Sequence, residues 1–159
     1  MAPVTRVRPR IGDVVEIPTP RGLAYAQFTH KHTSPPRYGD LVRVLPGVFA
    51  VRPDDFSALV NSDPQFVAFI PLGPACARKL FHIVANESVP PVAQVFPLFR
   101  SSARGPGGVR GPWWLWDGTT EWRVGELKPG MEKLPIRGTW NYTLLLERIT
   151  QGWRHEHDA

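Results

Sequence analysis

The chain has a single cysteine, Cys76, so no internal disulfide can form and cross-linking contributes nothing to the fold. Lysine is almost as scarce: four lysines stand against fifteen arginines. The net charge of +5 is therefore carried by guanidinium groups, spread without a dense block. No run approaches the ~18 apolar residues of a membrane-spanning helix. The opening MAPVTRVRPR carries Arg6, Arg8 and Arg10 without an apolar stretch behind them, so no secretory signal is expected. A cytoplasmic protein without membrane contact is the expectation. No internal repeat is visible.

Familiar catalytic motifs are missing as well. Gly-x-Ser-x-Gly does not occur, and Gly105-Pro106-Gly107-Gly108 lacks the Lys-Ser/Thr of a phosphate cradle. Cys76 lies between alanines, a setting more typical of a small buried residue than of a nucleophile. His30-Lys31-His32 and His155-Glu156-His157 each have a spacing that a metal could use on a strand. Neither is completed by further ligands in the sequence, so solvated histidines in a polar loop and a tail are expected. No catalytic residue, cofactor or metal is assigned, and the chain is expected to act by binding.

Proline (18) and glycine (14) are abundant and dispersed, which reads as many turns between short strands. Apolar residues at 42% suffice for one globular domain. Val14-Val15-Glu16-Ile17 is a predicted strand ending at Pro18, and 23–28 its antiparallel partner across a turn at 19–22. A polar stretch, 29–37, precedes a third strand around Val42 and Val44. Asp54 or Asp55 is placed to cap a short helix over 56–60. Further strands are predicted at 65–70 and 80–86. Pro90-Pro91 breaks the chain before an extended 95–100, and 101–111 is expected to be a mobile loop.

All six tryptophans fall between 113 and 153. Trp113-Trp114-Leu115-Trp116, then Asp117-Gly118, then Glu121-Trp122-Arg123-Val124 is a strong hairpin signal. A helical turn is predicted at 129–132. Tyr142, Leu145, Leu146, Ile149 and Trp153 share helical spacing, with Asn141 at the start and Gly152 as the cap. The predicted fold is α+β, mostly β: a curved antiparallel sheet or open barrel of short strands, a C-terminal helix and one or two short helices. The expected organisation is a flexible arm at 1–10, a single domain at 11–154 and a flexible tail at 155–159.

Taken in order, Gly12-Asp13-Val14-Val15-Glu16-Ile17-Pro18, Tyr25-Ala26-Gln27, Tyr38-Gly39-Asp40-Leu41-Val42-Arg43-Val44, Phe96-Pro97-Leu98-Phe99-Arg100, Trp113-Trp114-Leu115-Trp116-Asp117-Gly118 and Leu134-Pro135-Ile136 with Leu145, Glu147, Arg148 and Ile149 resemble the immunity protein 26 family of bacterial polymorphic-toxin systems. The resemblance covers residues 11 to 153. It implies a cytoplasmic protein that binds and neutralises a cognate toxin domain, often a nuclease, stoichiometrically and without catalysis. No functional residue carries over from it.

Most tryptophans are expected in the core, with one or two left for an interface. Trp113, Trp114, Trp116 and Trp122, with Arg100, Arg104 and Arg110 beside them, form the candidate partner-binding set. The alternative is a nucleic-acid-binding β-barrel, motivated by the basic charge and the mixture of aromatic and Arg residues. A third reading, an enzyme akin to barrel nucleases, rests on the Gly-Asp opening and the loose histidines.

Overall fold

Antiparallel pairing organises most of the chain. The computed structural model describes residues 7–158. Strands β1 (Asp13–Thr19), β2 (Gly22–His32), β3 (Gly39–Val44), β4 (Phe66–Ile70) and β5 (His82–Asn86) form one sheet in the order β4-β3-β2-β1-β5. Strands β6 (Phe99–Ser101), β7 (Trp113–Trp116) and β8 (Glu121–Gly125) form a second sheet in sequence order. Four short or medium helices complete the described residues: α1 (Ser57–Val60), α2 (Leu72–Ala77), α3 (Pro91–Gln94) and α4 (Tyr142–Gln151). The predicted mostly-β α+β class holds, and neither sheet closes into a barrel.

The first hairpin forms for local reasons. Pro20 and Arg21 make a two-residue turn in which Thr19 Oγ1 donates to the Gly22 carbonyl at 2.8 Å. Gly22 takes φ +133°, and a Cβ there would lie 2.7 Å from the Phe49 carbonyl oxygen, so a side chain is excluded. Pro18 does not end β1, contrary to expectation. The β5 ladder stops opposite Glu16, so Pro18 has no N–H to supply on that side.

Both faces of the five-stranded sheet are buried, following the two-residue period of a strand. One face carries Val15, Ile17, Ala26, Val42, Val44, Phe66 and Ile70 and packs on Leu72, Cys76, Leu145 and Ile149 of α2 and α4. The other carries Val14 and Tyr25 under Leu45, Phe56 and Val60, and farther along Leu41 and Phe69 under Phe99 and Trp116 of the second sheet. Asn141 caps α4 by accepting the Leu144 N–H at 2.8 Å, and Gly152 ends it at φ +66°. Each fully buried leucine or isoleucine here contributes about 2 kcal/mol.

The two sheets are joined by the chain after β8. The Arg100 N–H donates to the Pro135 carbonyl, the Arg137 N–H to the Arg100 carbonyl, and the Trp140 N–H to the Phe69 carbonyl. The edges of β6 and β4 are thus both covered by one extended segment.

Three expectations need correction. The polar stretch from Thr29 is not loop at first, because β2 runs on to His32. A β-bulge between Phe28 and His30 shifts the register by one residue and turns His30 and His32 toward the Leu41 face. The segment 101–111 folds into a small hairpin, with Arg104 bridging Arg110 and a 3-10 turn at Pro106–Gly108. The C-terminal segment is also built in: His155–His157 form a 3-10 turn and His155 is buried. Most of the expected N-terminal arm, residues 1–6, lies outside the described residues. Arg10 is tied to Asp13 by its N–H on Oδ2 at 2.8 Å.

Candidate functional site at the second sheet

The residues of the Trp/Arg set separate according to strand alternation. Phe99, Trp116 and Trp114 stand on one face of the second sheet, since Phe99 opposes Trp116 and Ser101 opposes Trp114. Arg100, Leu115 and Trp122 stand on the other, since Arg100 opposes Leu115 and Leu115 opposes Trp122.

Arg100 and Trp116 are interior and offer no surface to a partner as folded. Arg100 has 0% exposure and Trp116 3%. Trp116 is packed among Phe99, Phe96, Tyr38 and His32, with ring centroids 5.1–5.6 Å away. The Arg137 guanidinium lies 4.4 Å from its ring centroid and donates to Glu121. Arg100 donates to three main-chain carbonyls: Leu134 through Nε at 2.9 Å, and His155 and Asp158 through Nη2 at 2.7 and 2.9 Å. It clips the C-terminal segment to the sheet. Burial holds its pKa below the ordinary arginine value.

Trp113 is half-buried, with the guanidinium groups of Arg100 and Arg110 at 4.9 and 4.7 Å from its ring centroid. Arg110 also pairs with Asp158 at 3.3 Å. Arg104 is exposed and donates to the Gly108 carbonyl within its own hairpin. These three serve local structure while keeping some surface. Trp114 and Trp122, each 39% exposed, are the large aromatic side chains left most open.

Two shallow grooves share Pro112. One, of about 590 Å³, is lined by Ser102, Ala103, Trp114 and Glu121. The other, of about 530 Å³, is lined by Arg110, Trp113, Arg123 and Glu126. The outer edge of the second sheet is β8, which carries Trp122; Trp114 stands one strand in, on β7, and on the opposite face. Among the described residues nothing pairs with that edge, whereas β6 at the opposite side is covered. An open edge offers main-chain donors and acceptors to an added strand, with Trp122 on the edge strand and Trp114 one strand in on the other face. The hairpin signal in the sequence pointed to β8, but not to its being the uncovered edge. That depends on where residues 134–140 run.

Elsewhere several polar groups are engaged with one another. Glu16 accepts from Tyr25 at 2.8 Å and from Arg52 at 2.7 and 3.0 Å, and Arg52 holds its carboxyl below the usual range. His30 and His32 share a face but are engaged differently. His30 Nε2 lies 2.8 Å from the Gln94 carbonyl, and His32 packs among aromatic rings. Cys76 is buried, and burial pushes its thiol up to about 11. Among the described residues no group of three or more His, Cys, Asp or Glu is arranged to hold a metal ion. None of the helices there is long and apolar enough to cross a membrane.

No protein-family model, no curated protein and no solved structure matches the chain.

Proposed function

We propose that this chain is an immunity-type protein that binds and neutralises a cognate bacterial toxin domain in the cytoplasm, seating it on the open edge of β8. The observation that carries the binding reading is that edge, with Trp122 on it and Trp114 on the neighbouring strand. Aromatic anchors at a partner interface commonly account for 2 kcal/mol or more of affinity each, about thirtyfold. The toxin as partner rests on the ordered motif set in the sequence. Neutralisation here is stoichiometric and uses no group that turns over.

The test begins with the neighbouring genes: a toxin domain encoded there is co-expressed with this chain, and absence of any such gene counts against the reading. Wild-type chain restores growth and co-elutes with the toxin. Trp114→Ala and Trp122→Ala, both at the surface, weaken the complex roughly thirtyfold without changing the melting temperature. Failure of the wild-type chain to rescue growth refutes the immunity reading. Rescue that is indifferent to both substitutions refutes the β8 edge as the seat. The basic charge supports a second reading, nucleic-acid binding, which predicts affinity falling steeply with salt.

A further inference from the structure

A separate cavity of about 440 Å³ lies where the five-stranded sheet meets the segment 90–98. Its walls are mainly apolar, with Val67, Phe96 and Leu98 among them. The space opens to solvent beside the exposed Val92 and Val95, and its volume is typical of small-molecule pockets. The covering segment is held in place: His30 Nε2 meets the Gln94 carbonyl at 2.8 Å, and Gln94 Nε2 donates to the Val89 carbonyl at 2.8 Å.

One cation lines this cavity. Arg43 sits on β3 in phase with Leu41, which places it on the covered face of the sheet, and it is 3% exposed. Its Nη1 donates to the Val60 carbonyl at 2.6 Å and to Gln27 Oε1 at 3.3 Å, and its Nη2 to the Ser62 carbonyl at 2.8 Å. All three acceptors are neutral. Nε has no partner, and Nη2 makes only one of its two bonds. Nε and Nη2 make up the side-on edge of the guanidinium that matches a carboxylate, and Nε, which has no surface open to solvent, is reached when its covering residues shift. Asp63 also lines the cavity; it is exposed to solvent and makes no direct ion pair with Arg43, favouring its charge only from a distance. A buried guanidinium bonded only to neutral groups strongly favours an anionic partner.

We propose that this cavity binds a small carboxylate with an apolar body, its carboxyl group drawn to the Nε–Nη2 edge of Arg43 and its hydrocarbon against Val67, Phe96 and Leu98. The site is independent of the β8 edge and of the immunity reading.

Isothermal titration of the full chain with octanoate and octanamide tests it. The two probes share a hydrocarbon tail and differ in charge. Octanoate binds at one per chain, and octanamide binds roughly tenfold more weakly or worse. Ala93→Phe fills the cavity from α3 and abolishes octanoate binding while the circular dichroism spectrum and melting temperature stay as in wild type. Arg43→Met, where it folds, makes the two probes equal. Equal binding of both probes to wild type leaves only an apolar void and overturns the proposal. So does unchanged octanoate binding by Ala93→Phe, or no binding of octanoate at millimolar concentration.

Discussion

Acidification should destabilise this protein through one buried imidazole. His155 is 6% exposed and packs against Phe66 and Trp153, with ring centroids 6.1 and 5.1 Å away. Its Nε2 accepts the Val67 N–H at 3.2 Å, so the neutral ring is the one that fits. Burial first, then the nearby guanidinium groups of Arg100 and Arg148, push its pKa down to about 3 from the ordinary 6.5. In the unfolded chain the ring takes up a proton below about pH 6.5. Protons therefore bind the unfolded state preferentially. The stabilisation is complete above pH 6.5 and is lost progressively as pH falls toward the native value.

Between pH 7.5 and 4.5 this one group removes about 2.5 kcal/mol of stability, since the unfolded ring gains nearly two pH units of binding and the native ring almost none. Total stability of a domain this size is about 5–15 kcal/mol, so the loss is large. The assay is urea denaturation at both pH values, followed by tryptophan fluorescence, for wild type and His155→Gln. Glutamine keeps an acceptor for Val67 but does not titrate. Glu16, Asp55 and Asp117, whose pKa values are lowered, lose their own stabilisation on acidification in both proteins, so they cancel in the comparison. The variant is expected to lose about 2.5 kcal/mol less than wild type across this range. Equal losses would refute the reasoning.

Arg100→Met leaves the carbonyls of Leu134, His155 and Asp158 without their donor, and a loss of roughly 3 kcal/mol or more is expected. Urea midpoints measure it, and trypsin should then cut quickly after Arg154; an unchanged midpoint and slow cutting would refute the clip. Cys76, with its thiol pushed up to about 11 and 2% exposed, should react with thiol reagents at pH 8 only after denaturant is added. Fast labelling of the folded chain would mean that α2 opens readily.

Elements with a local cause were legible in the sequence. The β7–β8 turn is encoded by Asp117, whose Oδ1 accepts from Thr119 and Thr120. The helix α4 has its cap, its apolar face and its terminal glycine all within twelve residues. The α1 turn follows from Asp55, which accepts the Ser57 N–H at 2.9 Å. What could not be read depends on distant contacts. The continuation of β2 through His30-Lys31-His32 looks polar, and only the bulge at Thr29 makes those histidines face an aromatic cluster. His155 reads as part of a charged tail, yet Arg100 draws it inward from 55 residues away. The phase of Arg43 with Leu41 was a usable sign that an arginine in an apolar strand points to the interior.

The arginines alter what the net charge means. Arg43 and Arg100 are inside, bonded mainly to main-chain carbonyls with one nitrogen of each left unpartnered, and neither has a carboxylate in direct contact. Arg148 lies over Trp140 and Trp153 at 4.5 and 4.0 Å, and Arg137 over Trp116 at 4.4 Å with Glu121 at 2.6 Å. Guanidinium suits these places because it is flat, weakly hydrated and rich in donors, where lysine would fail. Part of the surplus of arginine over lysine therefore reflects interior and stacking roles. Among the described residues the buried Arg43 and Arg100 are matched in number by the buried Asp13 and Glu16, so the surface keeps the net basic charge, but the two grooves at the second sheet each carry a glutamate, Glu121 in one and Glu126 in the other. A polyanion gains from uniform positive charge along its length. A folded protein domain gains from mixed charge around aromatic anchors. The β8 edge is of the second kind, which is why the binding of a protein partner is the stronger reading of this chain.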